Sequence, residues 1–128
     1  TGHYEMVAQQ YPGDVVALNN LAMLYLQAKD TRALTTAEQT YKLQPNAVAV
    51  QDTLGWILVQ QGQNERGLKL LEQAVAQAPN VPIVRYHLAF ALLQNGNRQR
   101  AHQELIQLLA KHSTFSDREK AKALLDRL

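Results

Sequence analysis

Leu54-Gly55-x-x-Leu58-x-x-x-Gly62 returns 34 residues later as Leu88-Ala89-x-x-Leu92-x-x-x-Gly96. Arg66-Gly67 returns as Arg100-Ala101, and Leu71-Glu72-Gln73 as Leu105-Ile106-Gln107. A third copy lies upstream: Leu21-Ala22-x-x-Tyr25, Arg32-Ala33-Leu34, Glu38-Gln39 and Pro45-Asn46 match Leu54-Gly55-x-x-Leu58, Arg66-Gly67-Leu68, Glu72-Gln73 and Pro79-Asn80. A period of this length is that of stacked helical hairpins, each unable to bury its apolar face without a neighbour. Such arrays present surfaces more often than active sites.

Apolar residues recur at helical spacing throughout, and no stretch alternates with period two for long enough to read as a strand. The spacing predicts helices over 3–10, 15–28, 31–43, 47–61, 64–77, 82–95, 98–111 and 117–127. Pro12-Gly13, Pro45-Asn46 and Pro79-Asn80 mark handovers between hairpins, since proline disfavours helix at its predecessor and lacks an N–H. Asp14, Asn46 and Asn80 are expected caps, and Pro82 suits a first helical turn. Gly62 and Gly96 are expected in the left-handed conformation that ends a helix. Small residues at Ala22, Gly55 and Ala89 allow the two helices of a hairpin to approach closely. Ser116-Asp117-Arg118-Glu119 reads as a capping box. It opens a last helix whose Ala121, Leu124, Leu125 and Leu128 form one apolar stripe, with Phe115 as anchor, as the end of an array requires.

The residues that carry the period resemble those of the tetratricopeptide repeat family. That family's pattern is met by Leu54, Gly55, Leu58, Gly62, Gly67, Leu71, Ala74 and Pro79 in the middle copy. Leu88, Ala89, Leu92, Gly96, Ala101 and Leu105 meet it in the third, which has Ser113 in place of proline. The first copy supplies Leu21, Ala22, Tyr25, Ala33, Ala37 and Pro45, with a shorter turn at Ala28-Lys29-Asp30. The large fourth residue is degenerate, being Leu18, Gln51 or Arg85. The resemblance implies an all-α fold, a right-handed α-solenoid of antiparallel hairpins. Its expected division is 1–12 (second helix of a preceding repeat), 13–45, 46–79 and 80–113 (three repeats) and 114–128 (capping helix). The opening segment ending at Pro12 suggests that the chain is the C-terminal piece of a longer protein.

No cysteine is present, so a disulfide scaffold, a thiol nucleophile and a thiolate metal site are excluded. No apolar run reaches the length of a membrane span. A net charge of +2 does not imply a polyanion partner. The mild basic excess follows residue 97 and reads first as a solvated helix face. His3, His87, His102 and His112 form no zinc-type pair, and His87 reads as a structural histidine ahead of a ligand or general base. Gly62 and Gly67 lack the Lys-Ser/Thr of a phosphate loop. No carboxylate pair suggests acid–base chemistry. No enzyme, cofactor or metal is therefore expected.

In the resembled family the first helix of each hairpin lines a concave face and carries the ligand contacts. Carried onto this chain, those places are Val16, Asn19, Met23, Leu26 and Gln27; Ala49, Asp52, Trp56, Val59 and Gln60; and Ile83, Tyr86, Phe90, Leu93 and Gln94. They imply an apolar ladder Met23–Trp56–Phe90 beside Asn19–Asp52–Tyr86 and a glutamine row. The alternative is that Trp56 and Phe90 are core or lie under another helix. The cations of a carboxylate clamp are missing: its places read Asn19, Met23, Thr53, Tyr86 and His87. The expected partner is a protein or an apolar or amphipathic peptide, with no nucleic acid and no oligomeric state implied. The alternatives are a purely structural array end, or a salt-sensitive polyanion binder using Arg98, Arg100, Lys111, Arg118 and Lys122. The runs around Trp56 and Phe90 also resemble the C-terminal repeats of bacterial tetratricopeptide lipoproteins of exopolysaccharide and PEP-CTERM systems. That resemblance implies a periplasmic or outer-membrane-associated scaffold, with the cytoplasm an alternative.

Overall fold

The computed structural model describes residues 14–112, 115 and 117–128. Among these, all regular structure is helical: α1 (Val15–Gln27), α2 (Arg32–Leu43), α3 (Val48–Gln60), α4 (Asn64–Gln77), α5 (Pro82–Gln94), α6 (Arg98–Lys111) and α7 (Arg118–Asp126). The seven corresponding spans expected from sequence differ from these by at most one residue at either end. The expected helix 3–10, the Pro12-Gly13 break and the serines Ser113 and Ser116 lie outside the described residues.

Local chemistry explains most boundaries. The Asp14 carboxylate accepts the Ala17 N–H (3.2 Å) at the start of α1, and the Asn97 side chain accepts the Arg100 N–H (3.3 Å) at the start of α6. Pro82 opens α5. Asn46 and Asn80 do not cap. The turn closes on itself, the Ala47 N–H donating to the Gln44 carbonyl (3.3 Å) and Val81 N–H to that of Ala78 (3.4 Å). That places both asparagines one residue too early, and α3 and α5 begin from extended Ala47 and Val81 with no side-chain cap.

Gly62 and Gly96 have φ of +87° and +84°. The N–H after each donates to the carbonyl five residues before it, Gln63 to Leu58 and Asn97 to Leu92, both at 2.9 Å. Lys29 takes the same role in the first hairpin with φ +57°, and the Asp30 N–H reaches the Tyr25 carbonyl at 2.7 Å. A side chain in this conformation costs about 1–2 kcal/mol relative to glycine. The shorter turn is clamped by Asp30, which accepts the Arg32 N–H (2.9 Å) and guanidinium (2.7 Å). Those bonds hold the Asp30 carboxyl at about 2.

Leu21, Leu54 and Leu88 are buried with Tyr25, Leu58 and Leu92, beside Ala22, Gly55 and Ala89. Ala33, Ala37, Leu71, Ala74, Ala101, Leu105 and Leu108 face them from the second helices, so the core is one strip running through the stack. The degenerate fourth place has a structural use. Gln51 donates to the Pro45 carbonyl (3.0 Å), and Arg85 donates to that of Pro79, so each ties its helix to the preceding handover turn.

Successive first helices touch directly, α1 with α3 and α3 with α5. The second helices are bridged by long side chains, Arg66 to Glu38 (2.7 Å) and Arg100 to Glu72 (2.8 Å). The array therefore closes toward its first helices, which form the inner wall. The Arg66 hydrogen bonds hold the Glu38 carboxyl below its ordinary range. A depressed folded value means that this stabilisation is present above the unfolded range and is lost as pH falls through the folded one. Wild type should exceed Glu38→Gln by about 0.2–1 kcal/mol at neutral pH, as exposed pairs do. In urea titrations across pH, the gap should start to shrink near about pH 4.3 and close below that.

Candidate functional site

The inner wall carries the candidate site. On α1, Met23 and Leu26 are half-buried, Gln27 is exposed, and Asn19 is half-buried with its Oδ1 enclosed and unpartnered. On α3, Trp56 is half-buried and Gln60 exposed. Leu26 and Trp56 border two adjoining hollows. One, of about 420 Å³, is also lined by Met23, Gln27, Ile83, Tyr86 and His87. The other, of about 450 Å³, reaches Gln60 and the Lys29–Asp30–Thr31 turn. The Trp56 indole thus stands between them.

Two expected wall residues are core instead. Val59 is 4% exposed because it lies over Gly67, on which a Cβ would sit only 2.5 Å from Val59 Cγ2. Tyr86 is 7% exposed, though it still borders the smaller hollow. Phe90 and Leu93 are half-buried and pack with Leu105, Leu108, Leu124 and Leu128, so the last helix shares the third repeat's end of the ladder. Gln94 is exposed but lines neither hollow. The continuous row Met23–Trp56–Phe90 is therefore open at Met23 and Trp56 and turned into the core at Phe90.

Asp52 and His87 join α3 to α5. The Asp52 Oδ1 lies 2.7 Å from His87 Nδ1, and the histidine is 4% exposed. The Trp56 ring stacks on the imidazole at 4.0 Å between centroids and 18° between planes, and meets Phe90 edge-on at 5.1 Å. Because Trp56 follows Asp52 by one helical turn, one helix supplies both the carboxylate that holds the imidazole edge and the ring that covers its face. Burial first, and the Asp117 carboxylate second, push the Tyr86 hydroxyl above its ordinary range, so it stays neutral.

Asp117, just before the last helix, and Lys120 within it border the same hollow and pair loosely at 3.7 Å. Sequence reasoning missed them, although the signal was present. Adding the 34-residue period to Ile83 and Tyr86 lands on Asp117 and Lys120, so α7 occupies the place of a fourth first helix. Among the described residues, no cluster of three metal-ligating side chains occurs, and no helix is long and apolar enough to cross a membrane.

Fold and wall together define a helical-repeat protein with a recessed inner surface. The tetratricopeptide repeat profile matches residues 58–128, more than half of the chain, and the chain belongs to that family. Its fold is similar to that of TTC0263, a thermophilic tetratricopeptide protein of Thermus thermophilus (TM-score 0.77, 20% identity, covering 98% of this chain and 70% of that one). It is also similar to a MamA fragment from Desulfovibrio magneticus RS-1 (0.72, 20%, covering 88% and 65%). A third is YrrB, described as a tetratricopeptide protein with an unusual peptide-binding site (0.71, 17%, covering 84% and 56%). The chain thus spans less than two thirds of the MamA fragment and of YrrB. No curated protein matches it.

Proposed function

We propose that this chain is a non-catalytic interaction scaffold that takes an apolar or amphipathic peptide segment against its inner wall. The observation that carries the reading is Trp56, a half-buried indole standing between two adjoining hollows and sharing both with Leu26. Large aromatic anchors in recessed, partly desolvated positions supply most of the binding energy in protein interfaces. Met23 extends the apolar floor, while Gln27, Gln60 and the Tyr86 hydroxyl can bond the backbone of a bound chain. The family and the peptide-binding description of YrrB support the class of partner. Asn19, Asp52, Val59, Phe90, Leu93 and Gln94 act behind or beside the contact surface in this reading.

The proposal extends to the division 13–45, 46–79, 80–113 and 114–128, supported by the shared register. It also extends to a bacterial envelope assembly of the exopolysaccharide or protein-sorting type, supported by the runs around Trp56 and Phe90.

The test is selection from a displayed random-peptide library, with Met23→Lys as the control. Met23 is half-buried at the floor's edge, so a lysine can extend its ammonium to water. The fold should survive by circular dichroism, while enrichment of apolar peptides should fall at least about tenfold, the equivalent of 1.4 kcal/mol. Equal enrichment on both proteins would remove the inner wall as the binding surface.

A further inference from the structure

We infer that His87 presents a hydrogen-bond acceptor to the smaller hollow, so that the groove selects segments placing an uncharged N–H or O–H donor between apolar side chains. The inference rests on the groove reading above and names what that groove recognises.

The argument begins with the two ring nitrogens. Nδ1 is taken by the Asp52 carboxylate at 2.7 Å, and a carboxylate can only accept. In the neutral ring the proton is therefore on Nδ1, and Nε2 carries a lone pair. Nε2 has no hydrogen bond among the described residues, nor is it among the enclosed polar atoms left without a partner there. The slight exposure of the ring thus includes this nitrogen, and the hollow bordered by His87 is the space it meets.

The ring cannot turn to hide it. Trp56 covers one face at 4.0 Å with near-parallel planes, and Asp52 holds the opposite edge. One repeat earlier the equivalent pair of places holds Asn19 and Thr53, which have neither an imidazole nor a carboxylate. The device is therefore confined to the α3–α5 junction, beside the proposed anchor.

Charge narrows the donor. Around the hollow, Asp117 and Lys120 oppose each other, Asp117 and Arg127 act in opposite directions on the neutral Tyr86 hydroxyl, and the Asp52 charge faces the imidazole. The surroundings thus leave no unopposed charge to favour an ionic group. A serine, threonine, asparagine, glutamine or tryptophan side chain, or a free backbone amide, meets the requirement. A wholly apolar segment would instead leave Nε2 dehydrated and unpaired, which costs free energy.

Two measurements test this. Long-range ¹H–¹⁵N correlation at about pH 8, above the ordinary imidazole range, should show His87 protonated on Nδ1; protonation on Nε2 overturns the inference without recourse to any variant. The second uses the peptide that the library selection enriches most. Replacing its central donor by an isostere without one (Ser→Ala, Thr→Val or N-methylation) should weaken binding to wild type about tenfold. Binding to His87→Phe, which keeps an aromatic ring under Trp56, should not change, with folding checked by circular dichroism. Equal losses on both proteins, or none on either, overturn the inference. Retention of every selected peptide by Trp56→Ala, or no enrichment at all, sinks the groove reading and this inference with it. If Trp56→Ala loses the peptides while donor removal costs the two proteins equally, only the inference falls.

Discussion

Gly67→Leu should leave no cooperatively folded domain, and even Gly67→Ala should lower stability by about 1–3 kcal/mol in urea denaturation. A Cβ on Gly67 would lie 2.5 Å from Val59 Cγ2, 2.8 Å from the Gly55 carbonyl oxygen and 3.1 Å from the Val59 nitrogen. The arrangement is reciprocal, since a Cβ on Gly55 would meet the Gly67 carbonyl oxygen at 3.0 Å and Leu71 Cγ at 2.9 Å. Two effects compete in the alanine variant. Alanine gains about 1 kcal/mol of helix propensity over glycine. Against that, two of the three close atoms are backbone, which no rotamer change can move. Relief requires α3 and α4 to separate along their whole crossing, opening the strip around Leu54, Leu58 and Leu71. The steric effect therefore wins. In the other hairpins the equivalent pairs are Ala22 with Ala33 and Ala89 with Ala101, so the second hairpin alone has lost both methyl groups. Because each repeat leans only on its neighbours, a failed middle hairpin also uncouples the outer two. Gly62→Ala is the control: nothing lies within 4 Å, and only the φ of +87° resists, at about 1–2 kcal/mol. A Gly67→Ala variant as stable as wild type would show that the crossing has slack.

The same pair shows what a single chain makes legible. Close crossings are written in residue size at fixed spacing, so the hairpins, their boundaries and the core ladder follow from the period. Cap placement depends on whether a Pro-Asn turn closes on its own backbone before the helix begins, and a list of capping residues does not contain that. The places of the repeat also say which helix face a residue occupies, but not what another element lays over it. Val59 was expected on the wall and is core because Gly67 leaves a notch for it. Phe90 and Leu93 were expected on the wall and pack with Leu124 and Leu128, since the last helix continues the register. The Asp52–His87 bond spans 35 residues and two helices, and it forms because successive first helices sit side by side at the rotation this stack adopts. Pattern reaches the spacing of those helices but not their rotation.

Trp56→Ala should separate the two roles an indole can play in such a wall. The side chain is half-buried, so truncation removes part of its contact with His87, Tyr86 and Phe90 while the rest of its surface already faces the hollows. A fully buried tryptophan costs about 3–5 kcal/mol on truncation to alanine. Partial exposure brings the expected loss to about 1–3 kcal/mol, which a domain of ordinary stability, about 5–15 kcal/mol, survives. Capture of the selected peptide should fall by much more than that fraction of stability. An anchor is worth at least about 2 kcal/mol, or roughly thirtyfold in affinity, and here its removal also merges the two hollows and uncovers the imidazole face. Unfolding must be followed by circular dichroism, because Trp56 is the only tryptophan in the chain. Binding must be measured without denaturant, at a temperature where both proteins are fully folded, so that a smaller folded fraction cannot imitate weaker affinity. Retained folding with lost capture identifies the indole as the anchor. If capture falls only in proportion to the unfolded fraction, Trp56 is a core residue with one exposed edge, and the recognising surface has to be sought on another face.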